Sequence, residues 1–289
     1  MIQNDVKDSK EQIDPQKLAG AVNKRKSAGL THIGNVRTMN QDAMFLSDVP
    51  FGIFDCFYIV ADGMGGHKAG DVAANLAVSV FCDYVKDNVP DELKDTAEQN
   101  LELDADRAAA ETTAGTAAIE RLLEKAVQAA NERVYKDQES DADLKGMGTT
   151  FSACGFIGRR MFYAHIGDSR IYCADGVSLE IITNDHSFVG EMVRSGQLTS
   201  EEAFVHPNRN ILTRALGIDE AVAVDTGNIS IAEDVTLLIC SDGLNDMVFD
   251  TAILEIMKRG IDISEKAEAL LAAALGNGGR DNVTVVLVE

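Results

Sequence analysis

Five aspartates carry the chemistry that this sequence can offer. Asp62, Asp242 and Asp281 adjoin the strongest strand candidates, Asp168 follows the strand candidate Met161–Ile166, and Asp42 closes the run Arg37-Thr38-Met39-Asn40-Gln41-Asp42. Carboxylates at strand ends can converge when their strands lie side by side in one sheet. A cluster of them does not stay ionised without cations, because each negative charge raises the pKa of the next. Hard divalent ions with oxygen ligands resolve the conflict, and magnesium or manganese keeps several waters while doing so. A water held between two such ions, about 3.5–4 Å apart, becomes a hydroxide-like nucleophile at neutral pH, and in-line hydrolysis of a phosphoester is one reaction that it serves.

The neighbouring residues fit that chemistry. Glycines recur in Asp62-Gly63-Met64-Gly65-Gly66-His67, which permits close backbone approach, and the Gly63 carbonyl is a candidate metal ligand. Arg37 is a candidate phosphate clamp, since guanidinium offers paired donors to phosphate oxygens. Each piece also has a plainer reading. Asp-Gly is a hairpin signal, and a lone arginine is more often a surface residue. His165 inside a strand reads as a satisfied core or edge histidine, and His67, His186 and His206 read as solvated imidazoles. The glycine run lacks the Lys-Ser/Thr ending of a P-loop, which argues against nucleotide binding. The joint order of the pieces along the chain therefore carries more weight than any one of them.

The elements that must position these residues emerge from periodicity. Phe51–Ala61 is mostly apolar and reads as a strand or hairpin ending in Asp62-Gly63. Gly70–Val85 places Val72, Leu76, Val80 and Val85 at helical spacing. A second helix over 111–136 carries the stripe Ile119, Leu122, Leu123, Ala126, Val127, Ala130 and Val134. Between them, residues 83–106 hold nine acidic residues against two basic ones and read as a solvated surface excursion. Thr149–Phe156, Met161–Ile166 and Arg170–Cys173 read as short strands, 186–216 as a polar helical region, and Thr236–Cys240 as a buried strand. Ala252–Lys258 and Ser264–Leu275 read as helices, and Val283–Val288 as a last strand. The mixture, with no repeat and no linker, predicts one α+β domain over 27–289 after a mobile arm over 1–26.

Composition narrows the partners. The 289 residues include 26 basic and 47 acidic ones, a net charge of −21. Such a surface repels phosphate backbones and anionic membranes, so neither nucleic acid nor membrane is expected as a partner. No apolar run reaches membrane-spanning length, and the polar N-terminus shows no signal peptide. The five cysteines include no C-x-x-C pair, which disfavours a zinc cage or disulfide framework and points to the reducing cytoplasm.

The succession RTMNQD (37–42), VADGMGGHKAG (60–70), GMGTTFSA (146–153), HIGDSRIY (165–172), NDHS (184–187), LTRALG (212–217), CSDGLND (240–246) and GGRDNVTVV (278–286) resembles the metal-dependent PPM (2C-type) family of protein Ser/Thr phosphatases, in its bacterial branch. The resemblance covers residues 27–289, and eight blocks in one order make it specific. It implies a four-layer αββα sandwich around two antiparallel sheets. It implies hydrolysis of phosphoserine and phosphothreonine on proteins, with two Mn2+ or Mg2+ ions and a third, looser one. On that likeness Asp62 bridges two ions, the Gly63 carbonyl binds one, Asp242 and Asp281 complete the pair, and Asp168 joins Asp242 at the third. Arg37 would grip the substrate phosphate, making Arg37, Asp62 and Asp242 the catalytic set. Asp42 would support the site through water or through contacts to the ligands.

The same likeness implies a flap over 186–212 that bears on substrate choice, and a Ser/Thr kinase as the opposing partner. Two positions depart from it. Met64 stands where many eukaryotic members carry a histidine proposed as general acid, leaving water or His67 for that role, and Gln41 stands where many have Glu. Two other readings remain in play: a phosphatase dedicated to one phosphoprotein of a partner-switching pathway, and a silent phosphoprotein-binding module. Retention of Asp62, Asp168, Asp242 and Asp281 argues against silence.

Overall fold

The computed structural model describes residues 25–66, 69–90, 93, 112–232 and 234–289. One antiparallel sheet joins β2 (Asp42–Ser47), β3 (Cys56–Met64), β5 (Phe151–Ile157), β6 (Arg160–Ile166) and β9 (Asp225–Ser230) in that order, with β4 (Gly148–Thr149) paired to the end of β3. The other runs β1 (Ser27–His32), β11 (Val283–Val288), β10 (Thr236–Cys240), β7 (Arg170–Ala174) and β8 (Leu179–Ile181).

Alternation along the central strands explains why these sheets stack. On β3, Phe57, Ile59 and Ala61 face the helices α1 (Ala69–Asp87) and α2 (Thr113–Ser140), whereas Cys56, Tyr58 and Val60 face the other sheet. On β11, Val286 and Val288 face inward between the sheets. Val283, Val285 and Leu287 face α6 (Asp250–Met257) and α7 (Ile263–Gly276). Side chains of period two thus serve two cores at once. The result is the expected αββα sandwich.

Several boundaries differ from the sequence expectation. β3 begins five residues after Phe51 and runs through Asp62-Gly63 to Met64, so that Asp-Gly pair lies inside a strand and is no hairpin turn. α1 extends to Asp87, which takes the first residues of the acidic stretch into a helix. Its buried face is Ala69, Ala73, Ala74, Ala77, Phe81, Cys82 and Val85, while Val72 is exposed. Residues 91–92 and 94–106 of the excursion lie outside the described residues. In α2 the whole expected stripe is buried, and the helix continues to Ser140.

The region 186–216 is only partly helical. α3 (Phe188–Arg194) and α4 (Ser200–Phe204) are short and are capped by Ser187 and Thr199. Beyond Phe204 the chain runs in turns through Pro207, where no apolar stripe supports a helix. The bridge Ser187↔Leu212 closes the base of this flap. The globular part also begins earlier than residue 27. The Lys26 N–H donates to the Glu289 carbonyl at 3.0 Å, and the Arg25 guanidinium lies 3.7 Å from the Phe156 ring centre. Residues 1–24 of the expected arm lie outside the described residues. No helix among the described residues is long and apolar enough to cross a membrane.

Candidate metal centre

The two sheets are bolted together where the aspartates gather. Asp42 opens β2 and stands directly across the ladder from Asp62 on β3. Its Oδ2 accepts hydrogen bonds from Ser241 Oγ (2.9 Å) and Thr284 Oγ1 (2.6 Å) of the opposite sheet. Ser241 immediately precedes Asp242, the first residue of the short helix α5 (Asp242–Asn245), and Thr284 lies three residues beyond Asp281. Gly243 allows the last step, since a Cβ there would stand 1.8 Å from the Asn282 carbonyl oxygen. Only a residue without a side chain lets the segment of Asp242 close onto that of Asp281.

Electrostatics shows how tightly the carboxylates are grouped. Burial, followed by the charges of Asp42, Asp242, Asp168 and Asp281, drives the Asp62 carboxyl well above its usual range. Asp242 is raised in the same way, by burial and then by Asp168, Asp246 and Asp281. Burial pushes Asp42 up to about 6 and Asp168 up to about 7. Burial and mutual repulsion therefore favour uptake of protons or cations by this cluster. Two of its buried oxygens, Asp42 Oδ1 and Asp242 Oδ1, have no hydrogen-bond partner. Orphaned buried acceptors in an acidic cluster suit a cation.

The donor set fits hard ions that retain water. Among the described residues no three His, Cys, Asp or Glu side chains stand together as a ligand set for one ion. Mg2+ is held by one or two carboxylates and keeps several waters. Space is kept at the Gly63 carbonyl, because a Cβ on Gly70 would come within 2.7 Å of it. Arg37 lies at the rim, half exposed, and its Nη2 donates to Asp281 Oδ2 at 2.6 Å. The guanidinium is thus poised beside the carboxylates with its other donors free to turn outward. Met64, the last residue of β3, has no proton to donate, and His67 lies outside the described residues.

The histidines divide. His165 is fully buried, with Nδ1 on Ser152 Oγ (2.9 Å) and Nε2 on the Asn184 carbonyl (3.0 Å), as a structural histidine should be. His186 is no solvated imidazole. It is 1% exposed and bonds to Asp225 and to the backbone of Gly167. Its neighbours in sequence are polar, and the ring is met instead by residues distant in sequence: the His165 ring at 4.9 Å between centres, Gly167 and Asp225. His206 is partly buried, and its Nδ1 accepts from the Asn208 N–H at 3.1 Å.

Asn282 is a further residue of the site that periodicity does not single out. Its Nδ2 donates to the carbonyls of Ile33 and Met39, both at 2.9 Å, and its Oδ1 accepts from the Gln41 N–H at 2.8 Å. One side chain next to Asp281 therefore shapes the loop that carries Arg37. Its position directly after an aspartate in the DN pair was the available signal.

Beside Asp168 a cavity of ≈ 490 Å³ opens under the flap, lined in part by Arg170, Val193, Phe204, Asp246 and Phe249. Two contacts hold the flap over it: Arg209 to Asp246 at 3.0 Å, and the Phe204 and Phe249 rings stacked 3.9 Å apart.

Comparisons with known proteins match this fold. A family model described as protein phosphatase 2C matches residues 28–277. The serine/threonine phosphatase stp of Listeria monocytogenes is 42% identical over 231 residues, covering 80% of this chain and 83% of that protein. The Mycobacterium tuberculosis serine/threonine phosphatase PstP/Ppp superposes with a TM-score of 0.74 at 34% identity, covering 92% of this chain and 98% of that one. A structure of the PstP catalytic domain in complex with two manganese ions gives a TM-score of 0.72 at 32% identity, with 92% and 97% covered.

Proposed function

The chain belongs to the protein phosphatase 2C family, and from that premise we propose that its aspartate cluster is a two-ion centre for hydrolysing phosphoserine and phosphothreonine. The activity class, a protein Ser/Thr phosphatase, is that of its relatives at 34–42% identity over most of the chain. The residues that would hold the ions are Asp62, the Gly63 carbonyl, Asp242 and Asp281, with Asp168 and Asp242 at a third position. The observation that carries this reading is the convergence of five aspartates from separate segments, two of them with an orphaned buried oxygen.

Ions bound there supply Lewis-acid neutralisation of the phosphate and an activated water. The protein's own groups do the rest. Arg37 turns from Asp281 to the substrate phosphate and fixes its orientation through paired donors. Asp42 contributes position, because its bonds to Ser241 and Thr284 hold the segments of Asp242 and Asp281 against Asp62. Met64 leaves the proton for the departing serine or threonine oxygen to come from another source.

Phosphoproteins are the substrates, and the flap with its cavity is where their flanking residues would rest. A Ser/Thr kinase working on the same proteins is the partner this activity calls for. The five cysteines carry no disulfide, which accords with a reducing cytoplasm. The globular unit, residues 25–289, would act as one catalytic domain. The direct test is hydrolysis of a phosphothreonine peptide. Chelator should abolish turnover and added Mn2+ or Mg2+ should restore it. Turnover that persists in chelator would remove the two-ion reading, and metal binding without any turnover would favour a silent phosphoprotein-binding module.

A further inference from the structure

We propose that Asp225 is a positioning residue that ties both feet of the flap, and through His186 the loop bearing Asp168, to one anchor. The inference rests on reading Asp168 as an ion ligand, and it adds a residue that this reading does not use. The flap leaves the body after His186 and returns before Arg214. Its base is pinned by the Phe188 N–H to the Ile211 carbonyl and by the Thr213 N–H to the His186 carbonyl, both at 2.8 Å. The side chains just outside that base, His186 and Arg214, meet on the same carboxylate. Arg214 Nη1 donates to Asp225 Oδ1 at 2.8 Å, and His186 Nε2 lies 3.1 Å from Asp225 Oδ2.

His186 also grips the loop between β6 and β7 at two points. Its N–H donates to the Gly167 carbonyl at 2.7 Å, and the Gly167 N–H donates to its Nδ1 at 3.2 Å. A backbone donor aimed at Nδ1 leaves the proton on Nε2, so Nε2 donates to Asp225 and the tautomer is fixed. Gly167 is the residue before Asp168. Asp225 is itself held at the start of β9, in register with His165 on β6. A shift of the flap's feet therefore reaches Gly167 through one imidazole, and reseating Asp168 reaches the flap by the same route.

Hydrogen exchange on the metal-free protein tests this without recourse to activity. In Asp225→Ala the amides of Gly167, Phe188 and Thr213 should exchange about tenfold faster or more, as expected for loss of a charge-assisted bond. In Arg214→Ala the Gly167 amide should keep its wild-type rate, because the imidazole remains anchored. Asp225→Asn, with a weaker neutral acceptor, should shift Gly167 in the same direction by about threefold, which covers the case in which the alanine variant does not fold. A second readout is the Mn2+ concentration for half-maximal turnover. Asp225→Ala should raise it, and should add nothing in an Asp168→Asn background if the two act through one loop. Wild-type exchange at Gly167 in both Asp225 variants, or additive effects with Asp168→Asn, would overturn the proposal. A wild-type protein without metal-dependent turnover would overturn the two-ion reading and leave the exchange result standing.

Discussion

At the scale of the residue, the site turns on carboxylates that the fold forces together against their own charge. Asp242 shows it best: its Oδ1 is buried without a partner, and burial and then Asp168 dominate its raised pKa. Asp242→Asn keeps the shape of the side chain and removes the charge an ion would need. The rate constant kcat on a phosphothreonine peptide, measured in saturating Mn2+, should fall at least ~10²-fold. A wild-type rate would take Asp242 out of the ion set. Arg37 belongs to substrate binding and should behave differently. Arg37→Ala removes a charged donor from the phosphate, so kcat/KM should drop about 10–10²-fold, mostly through KM. Arg37→Lys should recover only part of the loss, because ammonium cannot make the paired contact. A fall in kcat alone would place Arg37 with the ions, a role its contact with Asp281 makes worth testing.

At the scale of the element, loops are held by single side chains, and Asn282 is the clearest. Asn282→Ala would remove three hydrogen bonds to the backbone of the 33–41 loop. At about 0.5–1.5 kcal/mol each, stability should fall by roughly 1.5–4.5 kcal/mol in denaturant melts. KM should rise as Arg37 loses its seat; an unchanged KM with lowered stability would separate the loop from phosphate binding. The same scale explains why some elements were legible in the sequence and others were not. The central strands β3, β5, β10 and β11 are buried on both faces and read as apolar runs. The edge strands β1, β2, β8 and β9 carry no such signal, since one side of each ladder is unpaired and their residues are mostly half-buried. All four escaped periodicity for that reason. Asp42, Asp62, Asp168, Asp242 and Asp281 were legible because motif order marked them. The bracing by Asn282, His186 and Asp225 was not, because Asn282 and His186 act on backbone far away in sequence, Asp225 acts on the side chains of His186 and Arg214, and only the folded chain brings these groups into reach.

At the scale of the whole molecule, folding, ions and protons are linked. Without ions the folded protein holds protons that the unfolded chain would release, because burial and neighbouring charge raise Asp42 to about 6 and Asp168 to about 7, against about 4 for a free carboxyl. Between about pH 4 and 7 the folded state therefore binds more protons than the unfolded state, and stability falls as pH rises through that window. Ions act in the opposite sense. They need ionised ligands, so their binding releases protons and strengthens as pH rises. Thermal melts in chelator should show Tm falling from pH 5 to pH 8, and melts in Mn2+ should show a gain over chelator that widens across the same range. For a chain of this length each ~1 kcal/mol corresponds to about 2–4 °C. Surface repulsion from a net charge of −21 also grows with pH, and a variant separates the two effects. Asp62→Asn/Asp242→Asn leaves the outer surface charge almost untouched and removes the buried negative charge. In chelator its Tm should therefore depend less steeply on pH than that of the wild type, and Mn2+ should raise it little. An identical slope in the variant would assign the pH dependence to the surface and deny the buried aspartates their role in coupling ion binding to folding.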